Sequence, residues 1–173
     1  IWGYFAQFFS IAAGLITLPF ILKILSAEEI GFNYLLITFG AFVSLIDFGF
    51  TPQFSRYISY IFSGAQVLLK NNVEVAKSDQ VNYKLLATMI KTARQVYFRL
   101  TIALILLLLT FGNLYVHKVT NGFTDIDNAL LIWVIYSVGL SLNIYYAYYG
   151  SLLQGKGLIT ESKKAIVYSR VLN

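Results

Sequence analysis

The chain has 173 residues, of which 58% are hydrophobic, 17% aromatic and only 12% charged, with a formal net charge of +5. A soluble domain averages about 25% charged residues, so this composition excludes an ordinary soluble fold and a nucleic-acid binder and indicates an integral membrane protein. With no cysteine and a single histidine, His117, it also excludes disulfides, thiolate metal sites and histidine-based metal chemistry.

The first apolar run spans 2–25, close to the roughly 20 residues that cross hydrocarbon. Gly14 and Pro19 interrupt it. Pro19 frees the carbonyl of Leu15, so a kink is expected there, and Lys23 reaches towards the interface. Ser26-Ala27-Glu28-Glu29-Ile30-Gly31 reads as a tight polar turn. A second run, 32–63, would be about 48 Å long as one helix. That exceeds a hydrocarbon core of about 30 Å, so the run must tilt, project or kink, with the hinge near 49–52.

Inside this run lies the stretch that sets the chain apart, Leu45-Ile46-Asp47-Phe48-Gly49-Phe50-Thr51-Pro52-Gln53-Phe54-Ser55-Arg56. A charge within a span costs roughly 2.5–3.5 kcal/mol on insertion scales, and such residues normally face a bundle interior or a watery cavity. Asp47 and Arg56 would sit on opposite faces of a continuous helix, about 13 Å apart along its axis, so pairing them needs a broken helix. Pro52 supplies the break, because its ring clashes with the carbonyl of Phe48. Alternatively, Asp47 caps the second half of a kinked helix and Arg56 snorkels to headgroups.

From 64 to 96 the composition turns polar. Lys70, Lys77, Lys84 and Lys91 recur every seven residues, although Asn71-Asn72 and Ser78-Asp79 are expected to interrupt a helix there, leaving 81–99 as an amphipathic helix. A third span covers 97–116 and is apolar all round, as a lipid-facing helix would be. The segment 117–128 reads as a loop with Asn121-Gly122 as its turn signal and Asp127 or Asn128 as a cap for a fourth span, 129–153. Tyr145, Tyr146, Tyr148 and Tyr149 crowd the end of that span, either as an interfacial aromatic belt or as a wall that stacks on sugars. A basic connector, 154–170, follows with Lys156, Lys163, Lys164 and Arg170.

The cations concentrate in 64–96 and 154–170, whereas the opposite loops hold Glu28, Glu29, Lys118, Asp125 and Asp127. The positive-inside rule puts the first two segments in the cytoplasm, and with them the N-terminus. The lysines either fix this topology alone or also attract anionic lipids. The chain starts inside one apolar run and ends as another begins, so it is expected to be a fragment. No nucleotide-binding loop, nucleophile elbow or metal-ligand cluster is present, and the chain is not expected to be an enzyme; catalysis on a lipid carrier and a non-transporting scaffold are the alternatives outside transport.

The succession Gly14-Leu15-Ile16-Thr17-Leu18-Pro19-Phe20, Ser26 to Gly31, Leu45 to Phe50, Arg56 and Leu153-Gln154-Gly155 with Arg170 resembles the first part of bacterial polysaccharide flippases. These are the O-antigen and capsule repeat-unit exporters of the multidrug/oligosaccharidyl-lipid/polysaccharide (MOP) superfamily. The resemblance implies an all-α, polytopic transmembrane bundle, here the N-terminal lobe with about four spans and the start of a fifth, in the bacterial cell membrane. It implies flipping of undecaprenyl-pyrophosphate-linked oligosaccharide by alternating access, coupled to H+ or Na+ and without a cofactor, beside polymerase or ligase machinery. Asp47 and Gln53 would then serve coupling or cavity polarity, and Pro19, Gly49 and Pro52 the hinges. Arg56, Lys84, Lys91 and Arg94 would attract pyrophosphate, with Tyr145 and Tyr149 on the sugar. A drug/cation antiporter of the same superfamily is the alternative.

Overall fold

The capping chemistry at Ser26 shows how this sequence starts a helix. The Ser26 hydroxyl accepts the Glu29 N–H at 3.2 Å while the Glu29 carboxylate accepts the Ser26 N–H at 2.8 Å. This reciprocal pair satisfies two of the donors that a helix start leaves open, so α2 begins at once, as Ala27–Leu45. The polar turn expected over 26–31 is therefore the first turn of a helix. The capping-box spacing Ser26-x-x-Glu29 was its signal.

In the computed structural model, which describes residues 2–47, 49–68, 73–75 and 80–164, the chain is mostly helical. α1 is Trp2–Ile24 and runs through Gly14 and Pro19 without interruption. After α2 come α3 (Phe50–Phe62), a hairpin of β1 (Ala65–Leu68) and β2 (Val73–Val75), α4 (Tyr83–Leu107), a π turn (Leu108–Gly112), α5 (Asn113–Val119) and α6 (Ala129–Gly155). Among the described residues two helical stretches are long and apolar enough to cross a membrane, Tyr83–Val119 and Ala129–Gly155, and a third exists if α2 and α3 together form one broken span. Within α1, Gly14–Ile24 forms a shorter apolar helix.

The polar connection expected over 64–96 holds a short hairpin in an otherwise all-α chain. β1 and β2 pair antiparallel, Leu68 opposite Val73 and Ala65 opposite Val75, with a bulge at Gln66. The β-branched residues Val67, Val73 and Val75 favour a pleated strand, and four residues separate the strands. The Gln66 side chain fastens the base of the hairpin: its Oε1 accepts Asn82 Nδ2 at 3.0 Å, and its Nε2 donates to the Gln80 carbonyl at 3.3 Å. Asn82 Oδ1 then accepts the Leu85 N–H at 3.0 Å, opening α4. Lys70, Lys77, Asn71-Asn72, Ser78-Asp79 and Arg170 lie outside the described residues, as does Phe48.

The chain divides into two compact units. One gathers the described residues of Ile1–Ala12, Gly49–Tyr97 and Tyr146–Asn173. There Phe54, Ile58 and Ile61 form a single buried stripe on α3, Phe54 packs on Tyr97 of α4 with ring centroids 6.0 Å apart, and Gly155 of α6 lies directly on Ile58. The other gathers the described residues of Ala13–Phe48 and Phe98–Tyr145 around Trp133, which is completely buried. Phe39 of α2 meets the Trp133 ring edge-on at 4.8 Å, and the Tyr136 hydroxyl donates to the Leu36 carbonyl at 2.6 Å.

The third expected span and the amphipathic run before it are one helix of 37 residues, Tyr83–Val119. Its apolar part is not uniform: Leu104 and Leu108 are buried, while Leu106, Leu107 and Leu109 are exposed. The following turn ends α5 with Asn121 in the left-handed region at φ 47° and the Gly122 N–H on the His117 carbonyl at 2.8 Å, a Schellman closure. Asn128, at φ 57°, precedes α6, and its carbonyl accepts the Ile132 N–H at 3.0 Å.

Candidate functional site

The break between α2 and α3 is local chemistry. The Ile46 N–H turns back to the Val43 carbonyl at 3.0 Å, which tightens the end of α2. Gly49 takes φ 79°, ψ 15°, a left-handed conformation that costs a residue with a Cβ, and its carbonyl accepts the Gln53 N–H at 3.2 Å. Pro52 is the third residue of α3, where a helix has no intrahelical acceptor for its N–H. The proline thus starts α3 rather than bending it. Gly49 is the N-cap residue of α3 and makes no side-chain hydrogen bond there. Asp47 is half-buried in the turn between the helices.

Thr51 anchors the start of α3. Its hydroxyl lies 2.7 Å from the hydroxyl of Tyr97, a fully buried side chain on α4. Gln53 is half-buried. Arg56 is exposed and lies two residues from both Phe54 and Ile58, which at 100° per residue puts it on the face of α3 opposite its buried stripe.

On α4, Lys84, Lys91 and Arg94 are all exposed. Their spacing places them within about 80° of one another on one helix face, away from the buried Ala93 and Tyr97. Gln53, Arg56, Lys84, Lys91, Arg94 and Tyr149 belong to the same unit as Gly49 and Pro52, whereas Pro19, Asp47 and Tyr145 belong to the other. Tyr149 stacks on Tyr148 at 4.2 Å and on Tyr146 at 6.1 Å. Tyr145 instead meets Phe98 edge-on at 6.3 Å. The expected sugar-facing tyrosines are thus in two different settings: one in an aromatic stack with half its surface open, the other half-buried against α4.

Three features of the second unit escaped the sequence reading. A cavity of about 250 Å³ is lined by Glu28, Phe32, Thr120, Asp125 and Ile126, and a groove of about 470 Å³ by Tyr34, Thr38, Phe39, Phe42 and Tyr115. The third is a number of buried side-chain atoms without a hydrogen-bond partner, on Asn113, Trp133 and Ser137. The residue types are visible in the sequence, but their convergence depends on helix register. Among the described residues no group of three or more His, Cys, Asp or Glu is placed to hold a metal ion. No family model matches the chain, and neither a curated protein nor a solved structure is similar to it.

Proposed function

We propose that the chain is part of a bacterial cell-membrane transporter that flips undecaprenyl-pyrophosphate-linked oligosaccharide from the cytoplasmic to the outer leaflet. In this reading its apolar helices form most of an N-terminal lobe of about four spans with a cytoplasmic N-terminus, and alternating access is coupled to H+ or Na+. The observation that carries it is the interrupted helix pair α2 and α3, with Asp47 and the left-handed Gly49 at the interruption. Irregular backbone at membrane depth is tolerated where it is buried in protein or lines a cavity, and transporters build their sites from such discontinuous helices.

The exposed cations Arg56, Lys84, Lys91 and Arg94 supply the chemistry for a pyrophosphate, since guanidinium and ammonium groups form strong charge-assisted hydrogen bonds to phosphate oxygens. The same cations serve anionic lipids at the cytoplasmic surface. Tyr149, in its open aromatic stack, and Tyr145 serve the glycan. Asp47 and Gln53 serve coupling, and the turn at Gly49 and Pro52, with Pro19 in α1, provides the hinges. Polymerase or ligase enzymes would consume the flipped product.

The test is deletion of the full-length gene in its native host, with lipid-linked oligosaccharide measured in the cytoplasmic leaflet. Accumulation should be reversed by the wild-type gene, while Arg56→Ala should lower flipping about tenfold or more, the worth of a hydrogen bond to a charged group, and Asp47→Asn should uncouple it from the ion gradient at normal protein level. Wild-type export from both variants would remove these residues from the site. Altered drug sensitivity without accumulation would replace the reading by the antiporter.

A further inference from the structure

The long helix Tyr83–Val119 passes through two environments. From Leu100 to Val116 it carries no charged residue, a stretch of about 26 Å that fills most of a hydrocarbon core of about 30 Å. The part before it, Tyr83 to Arg99, holds four cations and so lies outside the hydrocarbon. Along the axis Lys91 is about 12 Å and Lys84 about 22 Å from Arg99, whereas headgroups add only about 5–8 Å on each side of the core and salt screens a surface charge within about 8 Å. Both lysines therefore stand in water, beyond the reach of the headgroups.

This outer part does not lie flat on lipid. An interfacial helix needs its apolar face free to enter the bilayer, but here Ala93 and Tyr97 are buried against protein, Tyr97 beside the Phe54 ring. The start of the helix is also held in place, since Asn82 accepts the Leu85 N–H and donates to the Gln66 side chain. What stays uncovered is the opposite face, where Lys84, Lys91 and Arg99 are exposed and lie within about 80° of one another. No Asp or Glu occurs between Tyr83 and Val119, and among the described residues none of these three cations has an ion pair.

We propose that this stripe docks an acidic helix of a water-soluble protein. Its shape selects a rod: a pyrophosphate covers one turn of the stripe, whereas only an extended partner meets Lys84, Lys91 and Arg99 together. Lys84 and Lys91 are seven residues apart, so a partner helix with glutamates at a seven-residue repeat faces both, as charges flanking a coiled-coil seam do. The surface between the lysines makes no polar demand of its own, because the Thr88 hydroxyl donates back to the Lys84 carbonyl at 3.0 Å. A run of one sign with no internal counter-charge selects its partner by charge complementarity. Docking here is independent of what the protein transports and rests only on the long helix crossing a membrane.

The test uses the full-length protein in nanodiscs of zwitterionic lipid and a fluorescent peptide about 20 residues long, built of alanine and glutamine with its glutamates aligned on one helix face at the seven-residue repeat. A second peptide has the same composition with the glutamates spread around the helix. Anisotropy titrations should show the aligned peptide binding about tenfold more tightly, the worth of two or three exposed ion pairs. Lys84→Gln with Lys91→Gln should erase that advantage, and Lys84→Arg with Lys91→Arg should keep it. Equal binding of the two peptides overturns the proposal without any substitution in the protein, as does an advantage that survives the glutamine pair. Binding of anionic-lipid vesicles that the glutamine pair abolishes, with no binding of the aligned peptide, gives the stripe to headgroups and overturns it too.

Discussion

The two compact units close their helix contacts by opposite means. Around α3, contact is made by removing a side chain: Gly155 sits so near the neighbouring helix that an added Cβ would lie 2.6 Å from Ile58 and 2.7 Å from the Ser55 carbonyl. Around Trp133, contact is made by inserting the largest side chain available, with Gly112 hollowed out to receive it. A backbone seat has nothing to move aside, and an aromatic plug leaves a hole when it is lost. The first unit should therefore fail when atoms are added and the second when they are removed.

The largest effect is expected at the plug. Trp133→Ala empties a fully buried indole site lined by Phe39 and Gly112 and should cost about 4 kcal/mol, the usual scale for truncating a buried aromatic. Equilibrium unfolding in mixed micelles, followed by circular dichroism, measures it. A cost below about 1 kcal/mol would mean that the site collapses freely and that Trp133 is no plug.

The seat comes next. Gly155→Ala forces a methyl group against backbone and a β-branched side chain, and overpacking of this kind costs about 2 kcal/mol. Gly150→Ala on the same helix is the control, since nothing lies within 4 Å of the position its Cβ would take; it should be neutral or gain up to about 1 kcal/mol from helix propensity. Equal costs at both positions would show that α6 resists any substitution, and the distinction between the units would fail.

Much of this was legible in the sequence, for physical reasons that differ from element to element. The long apolar runs of α4 and α6 announce helices because nothing else satisfies so much backbone beside lipid. Gly49 and Pro52 announce the interruption because glycine alone enters the left-handed region freely and proline fixes φ. Ser26 to Glu29 was misread as a turn because polar residues open helices as often as they end them. The hairpin at 65–75 was missed because strands this short carry too little period-two signal inside a lysine-rich segment. At the candidate site, the sequence supplies Asp47, Arg56 and the α4 cations with their helix faces, since spacing alone sets a face. The close approach of Gly112 to Trp133 had no local signal, because the two are far apart in the chain and meet only through helix packing.

Helix capping separates local from packing energy within the second unit. Ser26→Ala removes the hydroxyl half of the capping box while the backbone N–H of residue 26 keeps the Glu29 carboxylate; it should cost about 1 kcal/mol, independently of Trp133, because the two are in different hydrogen-bond networks. A double substitution with Trp133→Ala should therefore be additive within about 0.5 kcal/mol. Strong coupling would mean that the start of α2 moves with the plug and that the unit is stabilised as a block.

The smallest effect carries a sign that tests how polar groups are treated along α6. Ser151 is completely buried with an unpartnered hydroxyl, one turn from the glycine seat at Gly155. Ser151→Ala removes an uncompensated polar group without changing the backbone and should stabilise the protein by up to about 1 kcal/mol. Ser141 is buried as well, but its hydroxyl donates to the Ser137 carbonyl. Ser141→Ala gives up that bond and should lose about 0.6 kcal/mol, the average for a side-chain hydrogen bond within a membrane. Two serines, both buried and only ten residues apart on one helix, are thus expected to respond to the same substitution in opposite directions in the same unfolding assay. A loss at Ser151 would show that its hydroxyl has a partner too.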